Sequence, residues 1–142
     1  MSEKSEKAEI LFRQGYNCCQ AVLGAFCQDY GLSFQTAMKL ASSFGGGMGR
    51  MREVCGTVSA MFMIAGLAAA ENTTRADQYR MVQKLAEKFR EKNGSIICRE
   101  LLKGIESSTS PVPSPRSEAY YTKRPCLQYI ADAVEILECQ LH

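Results

Sequence analysis

Apolar residues recur along this chain in runs spaced for helices and punctuated by glycine, asparagine and serine, with no run of alternating β-branched residues. The first run, Glu3–Gln14, stops at Gly15, the residue type favoured just past a helix end. Asn17 suits the cap of a second helix over Cys18–Tyr30, closed by Gly31. Ser33 caps a third over Phe34–Ser43, which the cluster Gly45-Gly46-Gly47-Met48-Gly49 is too permissive to continue. An apolar fourth helix covers Gly56–Ala70. Thr74 caps a fifth, Arg75–Lys92, whose Val82, Leu85 and Phe89 form one buried stripe on a charged helix. Asn93-Gly94 ends it, and Ser95 caps a short sixth, Ile96–Lys103.

Pro125 opens a last helix reaching Leu137, with Cys126, Ile130, Ala133, Val134 and Leu137 on one face. The expected fold is all-α, a single-domain bundle of six or seven helices over residues 1–142. Residues 1–7 are read as a frayed tail, and residues 104–124 as a long Pro- and Ser-rich surface loop.

Composition narrows the chemistry. A net charge of +2 over 142 residues lacks the basic stripe of a nucleic-acid protein. The single histidine is His142, which excludes a Ser-His-Asp triad, a Cys-His pair and any multi-histidine metal site. The polar start Met1–Lys7 does not read as a secretory signal. The apolar stretch Val58–Ala70 is shorter than the roughly 20 residues a membrane span needs. A cytoplasmic setting with reduced thiols is therefore expected. Seven cysteines, an odd number, cannot form a complete intramolecular disulfide framework.

Sulfur is thus where any chemistry is to be sought. Cys18 follows the Asn17 cap, Cys55 immediately precedes the fourth helix, Cys98 lies three residues after Ser95, and Cys126 follows Pro125. Unpaired N–H groups and the helix dipole at such starts favour an anion, and can lower a thiol pKa from about 8.5 into roughly the 3.5–7.5 range. Arg52 near Cys55, Arg99 beside Cys98, and Lys123 and Arg124 before Cys126 push the same way. Cys19, Cys27 and Cys139 lack this context and read as packing residues. The glycine cluster lacks the Gly-Lys-Ser/Thr ending of a phosphate loop. It reads instead as a turn approaching Cys55, with N–H groups of Gly45, Gly46 and Gly47 available to a thiolate or inorganic sulfide. Tyr120 and Tyr121 are expected to dock the long loop.

Five stretches carry a resemblance: Asn17-Cys18-Cys19-Gln20-Ala21-Val22, Phe44 to Met51, Val54-Cys55-Gly56-Thr57, Ile97-Cys98-Arg99-Glu100-Leu101-Leu102, and Arg124-Pro125-Cys126. Together, from about Ala8 to Leu137, they resemble the C_GCAxxG_C_C family of redox-active proteins. The resemblance implies that Cys18, Cys55, Cys98 and Cys126 are its four characteristic cysteines. Where that family carries a CGAxxG signature, this chain has Cys55-Gly56-Thr57-Val58-Ser59-Ala60, with Thr57 for alanine and Ala60 for the second glycine. Both replacements are small, so close helix packing is expected to survive.

Three readings follow. In the first, two of the four thiols cycle between dithiol and disulfide with a redox partner. In the second, Cys18, Cys55, Cys98 and Cys126 ligate zinc, an iron–sulfur cluster or copper(I). In the third, the helices form a structural or adaptor surface and the thiols merely pack. The apolar fourth helix would serve equally as a monomer core or as one side of a homodimer interface.

Overall fold

The computed structural model describes residues 2–141, so His142 lies outside the described residues. Eight α-helices occur in them: α1 (Glu3–Arg13), α2 (Cys18–Phe26), α3 (Phe34–Ala41), α4 (Gly56–Ala68), α5 (Arg75–Asn93), α6 (Cys98–Leu101), α7 (Glu118–Lys123) and α8 (Cys126–Gln140). The polar caps foreseen from sequence set three of the starts. Asn17, Ser33 and Thr74 each accept a backbone N–H from the first turn, at 2.8, 3.1 and 3.1 Å.

Four local readings change. Ser2 caps α1, its Oγ accepting the Ser5 N–H at 3.1 Å, so residues 3–7 are helical rather than a frayed tail. Beyond Phe26 the second helix tightens into a 3₁₀ turn, Cys27–Tyr30, closed by Gly31 at φ 81°. Ser95 does not cap α6. Its Oγ takes the Ile97 N–H at 3.0 Å, because Ile97 runs extended to form an antiparallel bridge with Val54 before the helix begins at Cys98. The segment expected to be irregular throughout residues 104–124 contains α7, capped by Ser117 with Glu118 in its first turn.

The core forms around α4, which packs against α2, α5 and α8, while α2 also touches α1 and α3. Val58, Met61 and Ile64 of α4 are fully buried, as are Leu85 and Phe89 of α5 and Val134 and Leu137 of α8. Burial of each such side chain stabilises the fold by about 1.5–3 kcal/mol relative to exposure. The α4 helix is thus occupied on several sides within one chain. No helix among the described residues is long and apolar enough to cross a membrane. This arrangement brings the starts of α2, α4, α6 and α8 to one region of the bundle.

Candidate functional site

Local backbone chemistry seats each of the four thiols at a helix start. Cys18 is the first residue of α2, where Asn17 and Gln20 form a reciprocal capping box. The Asn17 amide also donates to the carbonyls of Ala41 and Ser42 at 3.3 Å, tying this start to the end of α3. Cys55 is the N-cap residue of α4, Cys98 opens α6 and Cys126 opens α8. The bridge between Val54 and Ile97 joins two of these starts: the Cys55 N–H donates to Ile96 O at 2.8 Å, and the Cys98 N–H to Glu53 O at 2.6 Å.

The glycine-rich loop lies between them. Its N–H groups bond backward across five or six residues: Arg50 to Gly45 O at 3.0 Å, Arg52 to Gly46 O at 3.2 Å and Glu53 to Gly47 O at 3.0 Å. To make these bonds the backbone turns left-handed even at Met48, Arg50 and Arg52, with φ 63°, 66° and 62°. Each such residue costs roughly 1–2 kcal/mol, which the surrounding hydrogen bonds must offset. At two of the glycines an added Cβ would collide with a cavity cysteine. A Cβ on Gly47 would lie 2.6 Å from the Cys98 Cβ, and one on Gly56 would lie 2.5 Å from the Cys18 sulfur.

A cavity of about 380 Å³ opens where these parts meet, and Cys18, Cys55, Cys98 and Cys126 all line it. So do Gly45, Gly46, Gly47 and Gly56. The other three cysteines stand elsewhere: Cys19 and Cys27 are buried in the core, and Cys139 is exposed.

Position at a helix start does not make the four thiols alike. Cys18 is drawn down from an ordinary 9.0 to about 7, chiefly because the Cys55 thiol donates a hydrogen bond to it. Backbone N–H groups of Gly46, Cys19 and Cys18 itself add to this against the opposing effect of burial. The same bond pushes Cys55 up, since its proton is held between the two sulfurs, and burial pushes it further. Burial raises Cys98 despite the nearby Arg52, and raises Cys126 to about 12. Of the four thiols expected to be activated, only Cys18 is drawn down: its bond to Cys18 and then burial hold Cys55 up, and burial holds Cys98 and Cys126 up. The glycine loop likewise serves Cys18 through Gly46, not Cys55.

The cationic surroundings also differ from the sequence reading. Arg52 is buried and reaches Cys98, with Nη1 3.7 Å from Sγ, instead of Cys55. Arg99 turns outward to Glu53 at 3.2 Å, and Lys123 is exposed. Arg124 acts on Cys126 as expected and lines the cavity, joined by Arg50 and Arg116, which sequence reasoning passed over. Arg116 crosses from the Pro/Ser segment to the carbonyls of Phe12 and Tyr16, at 2.7 and 2.9 Å, and stacks on Phe12 and Tyr120. Tyr120 and Tyr121 pack on Phe12, docking this segment, and Tyr120 also lines the cavity. The signal available in sequence was slight: Arg116 stands beside Ser117, the cap of a helix that the proline content concealed.

Thr57 adds a hydroxyl at 3.1 Å from the Cys55 sulfur. Four thiolates would suit zinc or an iron–sulfur cluster. Yet among the described residues no three His, Cys, Asp or Glu side chains are grouped closely enough to hold a metal ion. The four sulfurs share a cavity without converging on one point, so the donor set as arranged does not fit a metal or cluster.

No match to a curated protein or to a solved structure was found. A family model with the description "Putative redox-active protein (C_GCAxxG_C_C)" matches residues 16–139, a span that contains all four cavity cysteines, and the chain belongs to that family.

Proposed function

We propose that this chain is a thiol–disulfide redox protein in which Cys18 attacks and Cys55 resolves. The observation that carries the reading is the asymmetry within one hydrogen-bonded pair: Cys18 is drawn down to about 7 by the Cys55 thiol, and Cys55 keeps its proton. A thiol with a pKa near ambient pH combines thiolate population with nucleophilicity. Cys18 is also only partly buried, whereas Cys55 is buried. The Cys18 thiolate attacks one sulfur of an external disulfide, and its S–S bond breaks as a mixed disulfide forms. Cys55 then loses its proton, attacks the Cys18 sulfur and expels the second thiolate, leaving a Cys18–Cys55 disulfide that an external dithiol reduces. Cys98 and Cys126 complete the wall of the cavity in protonated form.

The test is a thiol count before and after mild oxidation by diamide, with peptide mapping. Two thiols, Cys18 and Cys55, should disappear together and return on reduction. Cys18→Ser should abolish the loss, while Cys139→Ser should leave it unchanged. Oxidation that maps to another pair, or irreversible loss of single thiols, overturns the assignment.

A further inference from the structure

Arg50, Arg52, Arg116 and Arg124 line the cysteine cavity, and among the described residues no carboxylate does. The carboxylate that pairs with them is that of Glu106, which takes Arg124 at 2.9 Å and accepts the Ser108 N–H at 2.9 Å. Four guanidinium groups against one carboxylate leave this wall cationic. Charge of one sign concentrated in a concave, partly desolvated site favours an anionic occupant.

Arg52 sharpens the case. It is 1% exposed, with Nε donating to Ser108 O at 2.9 Å and Nη1 directed to the Cys98 sulfur. Its Nη2 has no hydrogen-bond partner among the described residues. The Glu106 carboxylate stands 3.9 Å away, beyond hydrogen-bond range. A buried guanidinium N–H without an acceptor is costly, and the left-handed backbone at Arg50 and Arg52 adds strain to the same loop. The unpartnered N–H is accounted for if an acceptor enters the cavity. The remaining wall is largely apolar, including Phe12, Leu101, Pro111 and Tyr129. An inorganic oxyanion gains nothing from such a wall, whereas the carbon skeleton of an organic anion does.

We propose that the cavity binds small organic carboxylates through Arg52 and its neighbouring arginines, and that the substrate of the Cys18–Cys55 pair is a low-molecular-weight disulfide bearing carboxylate groups. A guanidinium matches a carboxylate as a planar fork, and this holds the disulfide beside the sulfurs. The substrate half of this inference rests on the redox reading above; the binding half does not. Two electrons pass from the cysteine pair to the bound disulfide. Its S–S bond breaks, the Cys18–Cys55 bond forms, and the Cys55 proton leaves with one of the two thiol products.

Dithiodiglycolate, a dicarboxylate disulfide, and the neutral bis(2-hydroxyethyl) disulfide distinguish the outcomes in a single-turnover measurement. Each rate is referred to that of the same probe with a free thiol in solution. The corrected rate should favour dithiodiglycolate by about tenfold or more, and Arg52→Gln should bring the ratio toward one. Should Arg52→Gln fail to fold, Arg50→Gln serves in its place and should lower the ratio several-fold. Independently of any redox step, succinate should protect Cys18 from alkylation by iodoacetamide better than sulfate does at equal ionic strength. Equal corrected rates without succinate protection overturn the anion site even if a Cys18–Cys55 disulfide forms. Equal protection by sulfate overturns its organic character. Protection without disulfide formation supports the site and overturns the redox reading, and with it the assigned substrate.

Discussion

The backbone of Gly56 runs against Cys18 so closely that a Cβ added there would meet the Cys18 sulfur at 2.5 Å. Phe44 O and Cys19 N would lie at 2.9 and 3.1 Å from the same atom, so the contact involves backbone as well as a side chain. Gly56→Ala is therefore expected to destabilise the fold by about 1–3 kcal/mol and to displace the sulfur. Urea denaturation and the alkylation rate of Cys18 measure the two effects. Gly66→Ala on the same helix meets open space, and should instead stabilise by about 0.5–1 kcal/mol.

The bond from Cys55 to Cys18 predicts a pH profile. Alkylation of Cys18 should rise with a midpoint near pH 7, the value to which Cys55 draws it down. Because the pair titrates together, that midpoint belongs to both groups. Cys55→Ala removes the donor and should move the midpoint upward, so that a one-unit rise cuts the rate at pH 7 by about fivefold. Cys55→Ser retains a donor and should stay closer to the parent. An unchanged midpoint in Cys55→Ala would refute the role given to this hydrogen bond.

Alkaline stability carries the opposite sign for Cys126. Its folded-state pKa is raised to about 12 by burial and by the Cys18 charge, so it remains neutral in the fold while the unfolded chain ionises near the ordinary 9.0. Its contribution is fully present below pH 9 and is lost as pH rises toward 12. Cys18, drawn down to about 7, stabilises the fold above pH 9 and loses that contribution as pH falls through 7. Melting temperatures should accordingly fall between pH 9 and 10.5, less steeply in Cys126→Ala than in the parent.

Thr57 touches Cys55, the thiol proposed to resolve. Its hydroxyl, 3.1 Å from the Cys55 sulfur, lowers the Cys55 pKa against the larger upward effects of Cys18 and burial. Thr57→Ala should make Cys55 a poorer thiolate and slow resolution several-fold. Mass spectrometry during turnover should then show a longer-lived mixed disulfide at Cys18. Stability should fall by about 1 kcal/mol through the lost hydrogen bond.

Arg52 joins three segments of chain. It donates to Ser108 O at 2.9 Å, faces Glu106 at 3.9 Å and reaches Cys98 at 3.7 Å, all from a buried position. Arg52→Met removes the cation and leaves these groups without it, an expected loss of about 3 kcal/mol. Limited proteolysis should cut residues 104–117 faster in this variant. Unaltered cleavage there would mean that the loop is held by Arg50, Arg116 and Arg124 without Arg52.

Much of this was readable along the chain, because capping and helical periodicity are local. Asn17 bonds a residue three positions away, and the stripe of Leu85 and Phe89 repeats within one helix. For the same reason the four thiols at helix starts could be separated from Cys19, Cys27 and Cys139 before any fold was in view. Where local signals competed, the reading slipped. Ser95 resembles a cap, but the pairing of Ile97 with Val54 takes that segment into an extended form. The prolines before Arg116 likewise concealed α7.

Reactivity and charge at the site depend on contacts made across the fold. Four similar helix starts become one activated thiol and three protonated ones, since Cys18 gains a sulfur donor and three N–H groups, Cys55 is held up first by giving that donor, and burial governs Cys98 and Cys126. Arg52 and Cys98 lie 46 residues apart in sequence, and Arg116 and Phe12 lie 104 apart. Local rules place a cysteine at the start of a helix. Desolvation and hydrogen-bond partners, which exist only after the helices have packed, determine whether it carries a proton.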